Sequence, residues 1–231
     1  MSFELDCTPM GSMHVDSHEE GPIATNTYLV ASGDEAIVID PAWKGEGIAR
    51  RIATDHPELR IRAIVCTHCH GDHVGGVAGM RRELGDEVPF VISAIDAPYI
   101  EGAVTHMKRN WGLNIEMPPE PDRLLREGDT VEFGSVTLQV IETPGHTRGG
   151  IVLFAATQDG NIAFVGDTLF PGSHGRTDLD GGDDAAIMAS LGKLGRLLPV
   201  DTLVCAGHGP VTTIARELET NPFMQLALKN E

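Results

Sequence analysis

The chain has 231 residues, of which 41% are hydrophobic and 22% are charged, the profile of an ordinary globular protein. This profile excludes a disordered tail, a collagen-like repeat and a coiled coil, and no apolar run approaches the ~20 residues that span a bilayer. A formal charge of −17 repels phosphate backbones and disfavours binding to nucleic acid or to a membrane surface. The negative charge does not disfavour binding of divalent cations, because a bound metal ion offsets part of that charge.

The start of the chain and its cysteines bear on compartment and organisation. Residues 1–7 carry neither the basic start nor the apolar run of a signal peptide, so the expected location is the cytoplasm. Four cysteines are too few for a disulfide framework. No linker or repeat divides the sequence, and we expect one domain over residues 1–231.

In the first half of the chain, short β-branched runs alternate with helix-like stretches. Strands are predicted at 27–30, 36–40, 61–66 and 90–92, and helices at 47–54, 77–84 and 94–110. The run 61–66 is continuously apolar, which is typical of a strand in a sheet that is covered on both faces. The segment 117–121 has three prolines in five positions and is predicted to be a loop.

In the second half, strands predicted at 130–133, 136–141, 150–155 and 162–165 follow one another at short spacing, which indicates an antiparallel arrangement. A helix at 183–198, a strand at 202–205, a helix at 212–219 and a helical piece from 222 complete the chain. The two halves thus make two similar passes of mixed strands and helices. We predict an α/β fold, a four-layer αβ/βα sandwich in which two sheets face each other and helices cover the outside.

The segment that follows the apolar strand, Cys66-Thr-His-Cys-His-Gly-Asp-His, is rich in metal-binding side chains. Imidazole and carboxylate groups are the usual ligands of zinc and of non-haem iron or manganese. A loop at the end of a strand can bring several side chains to one point, and the nearby glycines allow the tight backbone that this needs. The candidate ligands in this segment are His68, His70, Asp72 and His73.

Three isolated residues repeat one local pattern, a strand end followed by a glycine and a polar side chain. They are His146 in Pro-Gly-His-Thr, Asp167 in Val-Gly-Asp-Thr and His208 in Ala-Gly-His-Gly. Loops held by a rigid scaffold are common places for catalytic groups. We therefore expect these residues to join the first segment in one site, and we disfavour the alternative of a solvated histidine cluster.

The order His-x-His-x-Asp-His, then His, Asp and His, resembles that of the metallo-β-lactamase superfamily over nearly the whole chain. The resemblance implies the four-layer fold and a site for two divalent metal ions, zinc in the first place and iron or manganese as alternatives. Asp40 matches the first signature block of that family, a structural carboxylate near the site. The implied ligands are His68, His70 and His146 for one metal, Asp72, His73 and His208 for the second, and Asp167 as the bridge.

The residues that flank the ligands look like those of the glyoxalase II-like group, which hydrolyses thioesters such as S-D-lactoylglutathione. Thr143-Pro-Gly-His-Thr147 and Gly166-Asp-Thr-Leu-Phe170 carry this likeness, which is greatest for the short bacterial branch. We expect no counterpart of the C-terminal helical domain through which the larger enzymes bind glutathione. The resemblance implies a small-molecule thioester as substrate, attack by a metal-bound hydroxide, and a second role for Asp72 in orienting that hydroxide.

Persulfide dioxygenases resemble the chain as well, because they share Cys69 and the Gly-Arg-Thr-Asp sequence at 175–178. They are single-iron oxidoreductases that use the equivalents of His68, His146 and Asp167, so a single-iron dioxygenase is the main alternative. A lactonase of the same superfamily is a further one. Hydrolases and dioxygenases carry the same ligand set, so the ligands alone leave both open.

Several other residues carry weaker signals. Cys66 and Cys69 formally match a Cys-x-x-Cys motif, but their place at a buried strand end favours structural cysteines. Arg176 is expected either to bind a substrate carboxylate through its planar guanidinium or to form a buried ion pair with Asp178. The remaining histidines are expected at the surface and the two tryptophans in packing roles: His14, His18, His56, His106, His174, Trp43 and Trp111.

Overall fold

A computed structural model describes residues 3–229 of the chain. The predicted domain bounds at residues 1 and 231 lie outside that range. Among the described residues, no helix combines the length and the apolar character that crossing a membrane requires.

The first sheet comes from the N-terminal part of the chain, and its six strands lie in chain order. The first three strands pair antiparallel, and the third to the sixth pair in parallel. Parallel neighbours need crossover connections, which helices supply here. The elements are β1 (His14–Glu20), β2 (Thr25–Ser32), β3 (Glu35–Ile39), α1 (Gly45–Asp55), β4 (Arg60–Cys66), α2 (Gly71–Val74), α3 (Val77–Leu84), β5 (Phe90–Ser93), α4 (Ile100–Trp111) and β6 (Arg123–Leu125).

The second sheet also has six strands, and a small hairpin lies between two of them in the chain. The elements are β7 (Thr130–Phe133), β8 (Val136–Glu142), β9 (Ile151–Thr157), β10 (Gly160–Gly166), the hairpin β11 (Leu169–Phe170) and β12 (Ser173–His174), α5 (Asp184–Leu197), β13 (Leu203–Ala206), β14 (Thr212–Thr213), α6 (Ile214–Thr220) and α7 (Pro222–Lys229). Strands β7 to β10 form an antiparallel meander, and α5 carries the chain across to β13, which pairs parallel with β10.

Apolar side chains fill three interfaces between four layers. Ile37 of the first sheet and Phe164 of the second belong to the cluster between the sheets. Met80 of α3 packs with the outer face of the first sheet, and Leu191 of α5 packs with the outer face of the second. Helices thus cover both outer faces, and the predicted four-layer αβ/βα sandwich is confirmed.

Three predictions of local structure were incomplete. Strand β1 was missed because its sequence, His-Val-Asp-Ser-His-Glu-Glu, is polar and its backbone pairs only at the sheet edge with β2. Strand β6 has three residues and the strands of the hairpin have two each, too few for a periodic signal. The helix predicted over 94–110 begins at Ile100, after a 3-10 turn that contains Pro98, because proline disfavours α-helical backbone in the residue before it.

Candidate metal centre

All seven predicted ligands meet at one edge of the sandwich, where β4, β8, β10 and β13 end. Their donor atoms form three overlapping groups, within each of which all atoms lie within 4.8 Å of one another. The groups are His68, His70 and His146; His68, His73 and Asp167; and Asp72, His73 and His208. The first and third groups coincide with the two ligand sets implied by the family resemblance, and the middle group connects them.

Asp167 lies between the two outer groups. Its Oδ1 atom is 3.4 Å from Nε2 of His73, and its Oδ2 atom is 3.4 Å from Nε2 of His146 and 3.5 Å from Nε2 of His208. The two oxygens of one carboxylate thus face histidines from both groups. This geometry fits a carboxylate that bridges two cations.

Unsatisfied polar atoms test whether the cluster suits a metal. His68 Nε2, His73 Nε2 and Asp167 Oδ1 are buried and have no hydrogen-bond partner. Buried polar atoms in proteins are nearly always paired, and these three point into the same cluster. A divalent cation would satisfy them, and a set of imidazoles and carboxylates without thiolate suits zinc, iron or manganese. The residues present therefore fit bound metal ions.

In two of the histidines, a hydrogen bond from the ring nitrogen Nδ1 fixes the direction in which the other nitrogen, Nε2, points. His73 donates from Nδ1 to Oδ2 of Asp40 at 2.9 Å, and Asp40 also accepts from the backbone and the hydroxyl of Thr67, both at 2.7 Å. His146 donates from Nδ1 to the carbonyl of Arg176 at 2.7 Å. Such partners set the tautomer and direct Nε2 towards the cluster, where Nε2 of His146 lies 2.9 Å from Nδ1 of His70. Asp40 is thus placed as the family resemblance implied, in a left-handed backbone conformation with φ of 50°.

Burial and charge set the protonation of the cluster. Burial, followed by repulsion from His146, lowers the pKa of His70 to about 3, so this imidazole is neutral at pH 7 with a lone pair to offer. Burial also disfavours a charged His73, but the carboxylates of Asp167, Asp72 and Asp40 outweigh it and raise the pKa of His73 to about 10. The carboxylates therefore hold a positive charge at this point, and a cation bound there would take the place of that proton.

The glycine before His208 has a steric reason. A Cβ atom on Gly207 would lie 2.2 Å from Oδ1 of Asp167 and 2.7 Å from Cε1 of His73. Any larger residue would therefore push a side chain into the ligand cluster. The repeated pattern of a strand end, a glycine and a polar residue follows in this case from the closeness of the backbone to the site.

Asp96 supports the site and was missed by the sequence analysis, which placed it inside a helix. Its buried carboxylate accepts from the backbone of Cys69 at 3.0 Å and from the hydroxyl of Thr147 at 2.7 Å through Oδ2. Oδ1 accepts from the backbone of Gly149 at 2.6 Å. One carboxylate thus ties the loop of His70 to the loop of His146.

Cys66 and Cys69 are free, buried thiols, and burial raises the pKa of both well above the ordinary value. Redox and metal-binding cysteines work as thiolates, which these surroundings disfavour. Neither sulfur belongs to a donor group. The structure supports the interpretation of both as structural residues.

We predict that alanine at either cysteine leaves metal content unchanged and changes turnover by less than about tenfold, or 1.4 kcal/mol of activation free energy. The physical reason is that neither thiol contacts the donor atoms. Elemental analysis and steady-state kinetics of the two single variants measure the outcome. A loss of several orders of magnitude in a folded variant would reveal a redox or ligand role.

A cleft of about 710 Å³ opens above the ligand cluster, a volume typical of sites for small molecules. His70, Asp72, His146, Asp167 and His208 line its floor. His106, His174 and Trp111 also line the cleft. His106 and His174 are half-buried and belong to none of the donor groups. Trp111 is 55% exposed and is no packing residue.

Arg176 also lines the cleft and forms the predicted ion pair with Asp178. Two nitrogens of the guanidinium meet the two carboxylate oxygens, Nε at 2.6 Å and Nη2 at 2.7 Å. The expected burial of this pair was wrong, because both side chains are more than half exposed at the mouth of the cleft.

Comparisons with known proteins agree with the fold. Residues 21–208 match the metallo-beta-lactamase superfamily, and the chain belongs to this family of metal-dependent hydrolases. Hydroxyacylglutathione hydrolase GloC of Haemophilus influenzae is 31% identical over 192 residues, which cover 82% of this chain and 87% of the relative.

Two solved structures share the fold closely. TTHA1623 in a di-iron-bound form has a TM-score of 0.80 and 40% identity, covering 90% of this chain and 100% of that one. The BLEG-1 B3 metallo-beta-lactamase has a TM-score of 0.82 and 33% identity, covering 91% and 99%. The His and Asp cluster described above is therefore the metal-binding cluster of a metallo-β-lactamase fold.

Proposed function

We propose that the protein is a binuclear metal hydrolase that cleaves small-molecule thioesters, in the manner of glyoxalase II-like enzymes. The observation that carries this proposal is the set of seven donors, three of them with unsatisfied buried atoms, on the floor of a cleft sized for a small molecule. Similarity to a hydroxyacylglutathione hydrolase supports thioesters as the substrate class.

Bound divalent metal ions would supply the Lewis acidity that lowers the pKa of a water to about 7 and polarises a carbonyl. The residues of the chain supply position. Asp167 faces both groups of histidines and would fix the spacing of the ions. Asp72 lies 3.2 Å from Nε2 of His208 and accepts from the hydroxyl of Thr25, which holds its carboxylate at the floor of the cleft.

Asp72 is the residue proposed to orient the attacking water. Burial disfavours its charged form, but His73 and His208 outweigh this and keep the pKa of Asp72 below its ordinary value. An ionised carboxylate accepts a hydrogen bond from water and directs its lone pair. The thiolate that leaves needs no strong acid, because the pKa of a free thiol is about 8.5.

Zinc is the proposed ion, with iron or manganese as alternatives. The donor set accommodates each of them, and the di-iron form of TTHA1623 supports iron in a fold of this kind. The third donor group, formed by Asp72, His73 and His208, favours two ions over one.

A single-iron persulfide dioxygenase is the second candidate function. His146 Nε2 lies 3.4 Å from Asp167, and His68 shares one donor group with each of these residues, so the three ligands that such an enzyme uses also lie close together. A lactonase would use the binuclear site with a different ester.

We predict two metal ions per chain after loading with excess zinc or iron, and hydrolysis of S-D-lactoylglutathione by the loaded protein. Elemental analysis counts the ions, and parallel assays on S-D-lactoylglutathione, glutathione persulfide and a lactone identify the reaction. One ion per chain under metal excess, together with oxygen consumption on the persulfide, would replace the hydrolase with the dioxygenase.

A further inference from the structure

One face of α4 forms a wall of the cleft. Residues at helical spacing along this face line it together with Tyr99, which directly precedes the helix: Gly102, Ala103, His106 and Arg109. Side chains three or four positions apart lie above one another on a helix, so these residues make one continuous surface. Trp111, the last residue of the helix, extends the same wall.

This wall lies next to the metal centre. Helix α4 contacts α2, the short helix that carries Asp72 and His73. The approach is close, since a Cβ atom on Gly71 would lie 2.4 Å from Cγ of Met107. A substrate whose reacting carbonyl sits over the metal ligands would therefore lie against α4 with its remaining part.

Arg109 is a cation without a partner. Within residues 3–229 its guanidinium makes no ion pair or hydrogen bond, and no carboxylate stands three or four positions from it on the helix. Arg82, by contrast, is paired with Glu116 through two bonds of 2.7 and 2.9 Å. The other arginine that lines the cleft, Arg176, has its guanidinium occupied by Asp178.

An unpaired guanidinium in the cleft can attract an anionic ligand to this otherwise acidic protein. The formal charge of −17 repels anions from the surface in general, so an anionic ligand needs a local cation to stay in the cleft. The planar fork of arginine suits carboxylate and phosphate groups, which it binds through two parallel hydrogen bonds.

Gly102 is the second unusual residue of this wall. Glycine inside a helix is unfavourable relative to alanine. Here the backbone does not require it, because its φ is not positive and an added Cβ atom would meet nothing within 4 Å. What the glycine provides is room in the cleft, where a ligand can approach the helix backbone.

We propose that this face of α4 binds the thiol portion of the thioester, with Arg109 paired to an anionic group of that portion and Gly102 giving it room. The inference rests on the proposed thioesterase function and names the part of the chain that selects its substrate. The anionic group is a carboxylate in a peptide thiol or a phosphate in a phosphopantetheine-type thiol. Both meet the same guanidinium fork.

Calorimetric binding of thioethers, which the enzyme cannot hydrolyse, tests the proposal on the metal-loaded protein. S-methylglutathione carries the carboxylates, S-methyl-coenzyme A carries the phosphates, and S-methyl-N-acetylcysteamine is uncharged. Arg109→Gln should weaken the binding of one anionic thioether about tenfold, and Arg109→Lys should restore part of it. The neutral thioether should bind equally to all variants.

Lys108→Gln is the matched control, because it removes the same charge from the last turn of α4 at a residue that does not line the cleft. It should change every affinity by less than about twofold. Equal losses in the two variants, no loss in Arg109→Gln, or no binding of either anionic thioether by the unaltered protein would each overturn the proposal. Anion binding through Arg109 in a protein that hydrolyses no thioester would refute the proposed function alone.

Gly102→Ala tests the role of Gly102 in ligand binding independently of Arg109, because this substitution should not impair folding. It should raise the Tm, as Gly47→Ala in α1 should, because both sites have open space for a methyl group. Only Gly102→Ala should weaken binding of the anionic thioether, severalfold. Identical affinities in the two alanine variants would show that Gly102 gives no room to the ligand.

Discussion

Replacement of Asp167 by alanine should remove at least one of two metal ions and nearly all thioester turnover. Its two oxygens face three histidines at 3.4 to 3.5 Å, so it is the residue best placed to hold both ions and to fix their separation. Without it, two cations face each other with less negative charge between them. Loss of an outer hydrogen-bond partner of a ligand costs about 10–100-fold, and a lost bridging ligand should exceed that range.

His208→Ala is the matched comparison. It removes one histidine ligand whose side chain is 25% exposed at the edge of the cluster, and the group of His68, His70 and His146 stays complete. We expect intermediate loss of metal and turnover, measured by elemental analysis and by the assay on S-D-lactoylglutathione. A folded Asp167→Ala protein that keeps two ions would contradict the bridging role.

Elements with a strong local signal were predicted closely. The apolar run 61–66 is strand β4, Arg60–Cys66, and the helix predicted at 183–198 is α5, Asp184–Leu197. Asp183 marks the start of α5 in the sequence because its side chain accepts from the backbone of Ala186 at 2.8 Å. Strand β1 has no such signal, since a polar edge strand is specified by its pairing with β2 and not by its own residues.

The ligand cluster was predictable because metal binding requires particular residue types in sets, and such sets stand out in a sequence. Residues that act alone do not stand out in a sequence in this way. Asp96 works through backbone and hydroxyl groups 27 to 53 positions away in the chain, so nothing near it marks its role. Arg109 looks like any basic residue at a helix end, where it favours the negative pole of the dipole. Only the path of α4 along the cleft separates it from Lys108.

Alanine at Asp96 should lower the free energy of unfolding by about 3 kcal/mol or more and weaken metal binding. Its removal leaves the backbone groups of Cys69 and Gly149 and the hydroxyl of Thr147 without an acceptor in a fully buried place. Each buried donor without a partner costs about 1–3 kcal/mol. Because two ligand loops lose their common anchor, metal affinity should fall about 10–100-fold.

Asp180→Ala controls for the loss of a carboxylate near the cleft. Asp180 is highly exposed and pairs with Arg148 at 3.1 Å, an interaction worth at most about 1 kcal/mol. Urea unfolding measures the stability of both variants, and competition with a chelator measures their metal affinity. Asp96→Asn, which keeps the size and one acceptor oxygen, should fall between the alanine variant and the unaltered protein on both measures. If Asp96→Ala matched Asp180→Ala in stability and in metal affinity, the loops of His70 and His146 would be held by their other contacts, and Asp96 would have no positioning role.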